Sequence, residues 1–207
     1  MTRMLKAEAE KLLAPYFETF CKCVEEAWND YPAEYSAKVR VIHTTRTKAN
    51  IINDHMVYRA WKEFSERPGV RVIMQRGQVF VLIGKALIRF KKLGRDGRAR
   101  NYPTKAATRF SENQLPLVGL PDHAIRLNAG YVTNRLQTQI KKILIACPRG
   151  LRDVDYVLDI WFQPDAGILA LPEITPQPSE TIVLPKVDTM EIAKNGASGE
   201  SQDGDSR

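Results

Sequence analysis

From residue 4 to residue 29 the chain carries Leu5, Leu12, Leu13, Phe17, Phe20, Val24 and Trp28 at steps of mostly three and four, with Lys and Glu between. That spacing lays one apolar stripe along a helix. Pro15 lacks the N–H that an interior helical position needs, so it kinks this helix or restarts it. Residues 29–36, with Pro32 among them, are expected as a loop, and residues 38–43 (KVRVIH) alternate like a short strand. A second helical stripe follows in Ala49, Ile52, Met56, Ala60 and Phe64. Thr44, Thr45 and Thr47 offer hydroxyl caps at its start, and Pro68-Gly69 closes it.

Beyond Gly69 the period falls to two. Residues 70–75 and 78–83 flank Arg76-Gly77 as a β-hairpin. Residues 86–93 (ALIRFKKL) form a third strand, closed by the turn Gly94-Arg95-Asp96-Gly97. Thr104 can cap a short helix over residues 105–110, and two prolines stiffen residues 114–121 into an extended run. Residues 124–133, 140–147 and 154–162 read as further strands. Gly130 inside one of them predicts a bulge or the close approach of another backbone or a ligand. The expected fold class is α+β: a mainly antiparallel sheet of about six strands with two long helices and one short one.

At residue 164 the periodicity stops and Pro, Ser, Gly, Glu and Asp take over. Residues 1–163 are therefore expected as one domain and residues 164–207 as a disordered tail. Within the tail, residues 182–187 (IVLPKV) are apolar enough to add an edge strand to a partner. The net charge of +7 divides unevenly across that boundary: beyond Pro164 eight acids face three bases, a net −5, leaving +12 on the domain. A basic body implies a polyanionic partner, and an acidic tail can compete for the same surface. No apolar run approaches the roughly 20 residues of a membrane helix, and the N-terminus lacks the pattern of a signal peptide. Cys21, Cys23 and Cys147 are an odd number with no disulfide framework. A soluble cytoplasmic protein without a membrane partner is expected.

Chemistry is sought where charge concentrates. Between residues 89 and 109 stand Arg89, Lys91, Lys92, Arg95, Arg98, Arg100, Lys105 and Arg109 against one acid, Asp96. Strand alternation puts Arg89 and Lys91 on one face and Ile88, Phe90 and Lys92 on the other. The following turn gathers Arg95, Arg98 and Arg100, a cluster suited to phosphates, with Tyr102 placed to stack on a base. On the second helix Arg46, Asn50 and Asp54 recur every fourth residue with His55 beside them, a row that fits an acid–base or phosphodiester site. Asp153, Asp155 and Asp159 are weaker candidates for holding a cation, and His43 and His123 are expected as packing or loop residues. No phosphate loop with Gly-Lys-Ser/Thr, no His-Glu-x-x-His and no Cys-x-x-Cys is present, so neither a metal nor a cofactor is expected.

Several runs carry a resemblance: residues 45–50 (TRTKAN) with Asn53-Asp54-His55-Met56, then residues 89–93 (RFKKL) and 100–104 (RNYPT), and finally residues 117–121 (LVGLP) with Ala129-Gly130-Tyr131. Over residues 40–162 the chain resembles a family of uncharacterised bacterial and phage-borne proteins encoded beside zinc metallopeptidases of the ImmA/IrrE type. The resemblance implies a toxin–antitoxin or phage-defence-like module and a peptidase as protein partner, and it supplies no reaction. The function expected is a nucleic-acid-associated effector or regulator, on DNA or RNA. Phosphate would be held by Arg89, Lys91, Lys92, Arg98 and Arg100, with Arg46, Asn50, Asp54 and His55 lining the same cleft. Two alternatives stand beside it: a metal-independent nuclease or nucleotide-modifying toxin using His55, and an interaction module that binds the peptidase through residues 182–187.

Overall fold

The computed structural model describes residues 4–75, 78–100, 104–112 and 124–161. The chain divides into two units, Met1–Pro164 and Asp165–Arg207, and every described residue belongs to the first. Five expectations lie outside the described residues: the Arg76-Gly77 turn, Tyr102, the run 114–121, His123, and the tail with its 182–187 island.

The described part is α+β. Helix α1 (Lys6–Leu13) ends in a 3₁₀ turn, Ala14–Tyr16, and α2 (Phe17–Glu34) begins at once, so Pro15 restarts the helix as its missing N–H requires. Helix α4 (Thr45–Phe64) starts at Thr44, whose hydroxyl accepts from the Thr47 N–H at 3.1 Å. Thr104 caps α5 (Lys105–Ser111) in the same way, accepting from the Ala107 N–H at 3.2 Å.

Two local expectations are corrected. Of the expected 29–36 loop, residues 29–34 do not loop out; α2 runs through Pro32 to Glu34. The proline forfeits one backbone hydrogen bond near the helix end, while Tyr31 is buried and its ring lies 5.5 Å from Tyr35. Residues 38–43 are no strand: Ala37–Ile42 form the short helix α3, none of whose residues is buried. Their β-branched alternation counts only beside a partner strand. With no ladder to join among the described residues, one helical turn satisfies the backbone locally, with the Val39 and Arg40 N–H groups donating to the Ser36 carbonyl.

Among the described residues six strands form one sheet in chain order: β1 (Val70–Gln75), β2 (Gln78–Ile83), β3 (Ala86–Phe90), β4 (Ile125–Thr133), β5 (Ile140–Pro148) and β6 (Val154–Asp159). All neighbours are antiparallel except β3 and β4, which run parallel. A parallel pair needs a long crossover, and the connection that contains α5 supplies it. One face of the sheet carries α2 and α4. Phe20 of α2 lies 4.9 Å from Phe64 of α4 and 5.8 Å from Phe90 of β3, ring centre to ring centre, so one aromatic cluster ties both helices to the sheet. The opposite face holds a smaller cluster of Phe80, Leu82, Leu87 and Phe110 under α5.

The backbone approach expected at Gly130 is real, and the visitor is the neighbouring chain segment. A Cβ on Gly130 would stand 1.6 Å from the Lys91 carbonyl oxygen. Beyond β3 the ladder continues through Lys91 N–H to the Ala129 carbonyl (2.8 Å) and Leu93 N–H to the Tyr131 carbonyl (2.9 Å). Gly130→Ala is accordingly expected to cost more than about 3 kcal/mol or to prevent folding, as read by urea denaturation, because backbone rather than a flexible side chain would have to move.

Candidate functional site

Strand parity decides where the basic residues go. Ile88 and Phe90 are the apolar positions that meet the helices, so Lys92, two residues further, emerges on the α4 side. There the chain folds back: Leu93 bridges Ala99, the Gly94 N–H donates to the Arg98 carbonyl (2.8 Å), and the Arg100 N–H donates to the Lys92 carbonyl (2.9 Å). The fold-back returns Arg100 to Lys92. Together with Arg95 they line a cleft of about 910 Å³, whose other walls are the first turns of α4 (Thr45, Arg46, Ala49, Asn50) and the β4–β5 turn (Asn134, Arg135, Gln137). Among the described residues, five cations therefore share this cleft and its lining contains one acid, Asp96. Asp96 is engaged by Arg98, whose Nε donates to Oδ2 at 2.5 Å.

Inside this cleft Lys92 Nζ donates to Gln137 Oε1 at 2.5 Å, while Lys48 Nζ donates to the Gln137 backbone carbonyl at 2.8 Å. Burial draws the Lys92 ammonium below the usual lysine range, and the nearby Lys48 and Arg100 charges act in the same direction. Burial does the same to Lys48, aided by Arg40. The Lys48 ammonium also lies 4.3 Å from the centre of the Trp28 ring, a cation–π contact that ties the β4–β5 turn to α2 as well as to α4. Thr45 and Arg46, in the first turn of α4, line the same space, so the positive end of the helix dipole adds to the field there.

The expected constellation is thus divided. Arg46, Asn50, Lys92 and Arg100 meet in the cleft. Arg89 does not: it points to the opposite face, is 4% exposed, and lies with its guanidinium carbon 3.7 Å from the centre of the Phe110 ring. Its Nε donates to Asn128 Oδ1 at 2.7 Å, and Nη2 has no hydrogen bond among the described residues. Burial, with Arg126 close by, pulls its pKa down to about 9. Such a group is part of the core rather than a surface contact. Arg126 donates to the Arg109 carbonyl at 2.9 Å and lies beside the same Phe110 ring, so the two buried guanidiniums fix α5 on the sheet. Lys91 is half-buried, and burial, then Arg89, lower its pKa, with Asp54 acting against them. Arg98 turns to Asp96 and to the Arg152 carbonyl (3.4 Å), lining a separate hollow of about 300 Å³.

Asp54 and His55 line another small hollow with Glu34, Tyr35 and Tyr58. His55 stands between two carboxylates of α2, with Nδ1 3.4 Å from Asp30 and Nε2 3.3 Å from Glu34. Asp30 also receives two hydrogen bonds from Arg59, at 2.9 and 2.7 Å, and Arg59 reaches Glu26. This bidentate pairing fixes α4 along α2. Other candidates are engaged locally: His43 Nδ1 is 3.0 Å from the Tyr31 hydroxyl, and the exposed Asp159 is paired with Lys142 at 2.7 Å. Asp155 lies 3.8 Å from Arg149. Burial pushes both Cys21 and Cys23 up to about 12, so neither is a thiolate at neutral pH.

Residue-by-residue reading missed that Arg135 and Gln137 line this cleft. Their signal is topological: the turn after β4 reaches the end of β3 only because those two strands run parallel. Arg59→Leu should lower the unfolding free energy by about 1–2 kcal/mol in urea denaturation, because Asp30 and Glu26 lose their common partner. No protein-family model, no curated protein and no solved structure matches the chain.

Proposed function

We propose that this chain is a nucleic-acid-associated protein that grips phosphate backbone in the cleft between α4, the fold-back after β3 and the β4–β5 turn. The observation that carries the proposal is the convergence of Arg46, Lys92, Arg95, Arg100 and Arg135 on one cleft where, among the described residues, the single lining acid is already engaged. Like charges repel, and gathering five of them costs free energy unless an anion neutralises them. A strand of phosphates does so at several points and releases its own counterions. The domain's charge of +12 over residues 1–163 favours such a ligand at longer range. The resemblance noted above adds the context of a two-gene bacterial module, in which the chain would be the nucleic-acid-associated effector or regulator. His55 is engaged by Asp30 and Glu34 and does not line the cleft, so catalysis by it has no part in the proposal.

The test is fluorescence anisotropy of the full chain with labelled DNA and RNA, single- and double-stranded, between about 50 and 200 mM salt. Binding should weaken steeply with salt. Arg46→Gln and Arg100→Gln should each reduce the salt slope on duplex DNA by about 0.9, the value of one phosphate contact, regardless of sequence. Arg89→Gln should leave the slope unchanged, since that side chain is buried on the other face. Absence of salt-dependent binding, or slopes that ignore Arg46 and Arg100, would overturn the proposal.

A further inference from the structure

In the β4–β5 turn Gln137 has a φ of 56°, and among the described residues it is the sole non-glycine with positive φ. The turn's hydrogen bonds accompany this conformation: the Gln137 N–H donates to the Asn134 carbonyl at 3.1 Å, the Thr138 N–H to Asn134 Oδ1 at 2.8 Å, and the Asn134 N–H to the Gln139 carbonyl at 3.1 Å. Glycine or asparagine occupies a left-handed hairpin position at lower cost. A glutamine there gives up local stability, and such positions cluster where a side chain is needed for function. Here the side chain has an identified task, because its amide oxygen holds the Lys92 ammonium in the basic cleft.

We infer that Gln137 is a positioning residue that aims Lys92 at the backbone phosphate of the bound nucleic acid. This rests on the cleft being a phosphate site. The chemistry of the amide suits the task. A neutral oxygen orients the ammonium through one of its three N–H bonds without cancelling its charge, which leaves the others for phosphate. A carboxylate would hold Lys92 more firmly and remove its attraction for an anion. Lys48 completes the arrangement from the far side by fixing the Gln137 carbonyl, so the turn keeps its place on α4, the helix that carries Arg46 and Asn50.

Glycine at position 137 separates the roles, because it keeps the left-handed backbone and the carbonyl that Lys48 holds and removes only the amide. In the full chain, Gln137→Gly should weaken binding to labelled duplex DNA by about three- to tenfold. Its melting temperature should stay at or above that of the wild type. Gln137→Glu should weaken binding further and lower the salt slope by about one contact. On a Lys92→Met background, Gln137→Gly should have no additional effect, because it acts through Lys92. Wild-type binding combined with an unaltered Gln137→Gly variant, with effects that add to Lys92→Met, or with a lowered melting temperature would overturn this inference and leave the cleft as the phosphate site. Failure of the wild type to bind would overturn the phosphate site and this inference together.

Discussion

The Lys91 carbonyl resting on the Cα of Gly130 is the contact on which the rest of the molecule turns. No side chain fits between them, so the segment after β3 lies flat along β4 and its ladder continues to Leu93. That continuation preserves strand parity through the basic run. Lys92 is therefore delivered to the face that carries the helices, and Arg89 to the face beneath α5. One close approach between backbones thus sorts two neighbouring cations into different roles, one in a cleft and one in a core.

The helices complete the cleft by being held in a fixed place. The Phe20, Phe64 and Phe90 rings set α2 and α4 on the sheet, and Arg59 locks the helices to each other through Asp30 and Glu26. With its C-terminal end anchored at Phe64, α4 projects its N-terminal turns toward the end of β3. Lys48 then joins α4 to the β4–β5 turn through Gln137. The electropositive site follows from packing: three walls from distant parts of the sequence meet because an apolar face, a bidentate ion pair and a parallel strand pair bring them together.

Much of the fold was legible in residue patterns. The stripe Ile52, Met56, Ala60 and Phe64 is the buried face of α4, Pro15 marks the restart between α1 and α2, and the strand alternations fall where the six strands lie. Misread elements share a cause, since local preference was outweighed by context. The KVRVIH run has strand chemistry, but no strand pairs with it among the described residues, and Pro32 sits in the last turn of α2 beside the buried Tyr31, where it forfeits one hydrogen bond. The site was half legible. Arg46, Asn50, Lys92 and Arg100 were identifiable from charge and periodicity, and the parity of residues 88–92 already separated Lys92 from Arg89. What pattern alone could not supply was which face α4 covers, or that a parallel pairing carries Arg135 and Gln137 to the same place.

Phosphate backbone seated in this cleft, as proposed, would leave a footprint on the protein that amide chemical-shift mapping reads when the isotope-labelled chain is titrated with a short DNA duplex. The largest shifts are expected on Thr45, Arg46, Asn50, Lys92, Arg95, Arg100 and Arg135, residues of the three walls. Shifts centred instead on Asp54 and His55, or on the Arg98 and Arg152 hollow, would contradict it, as would a spectrum that the duplex leaves unchanged.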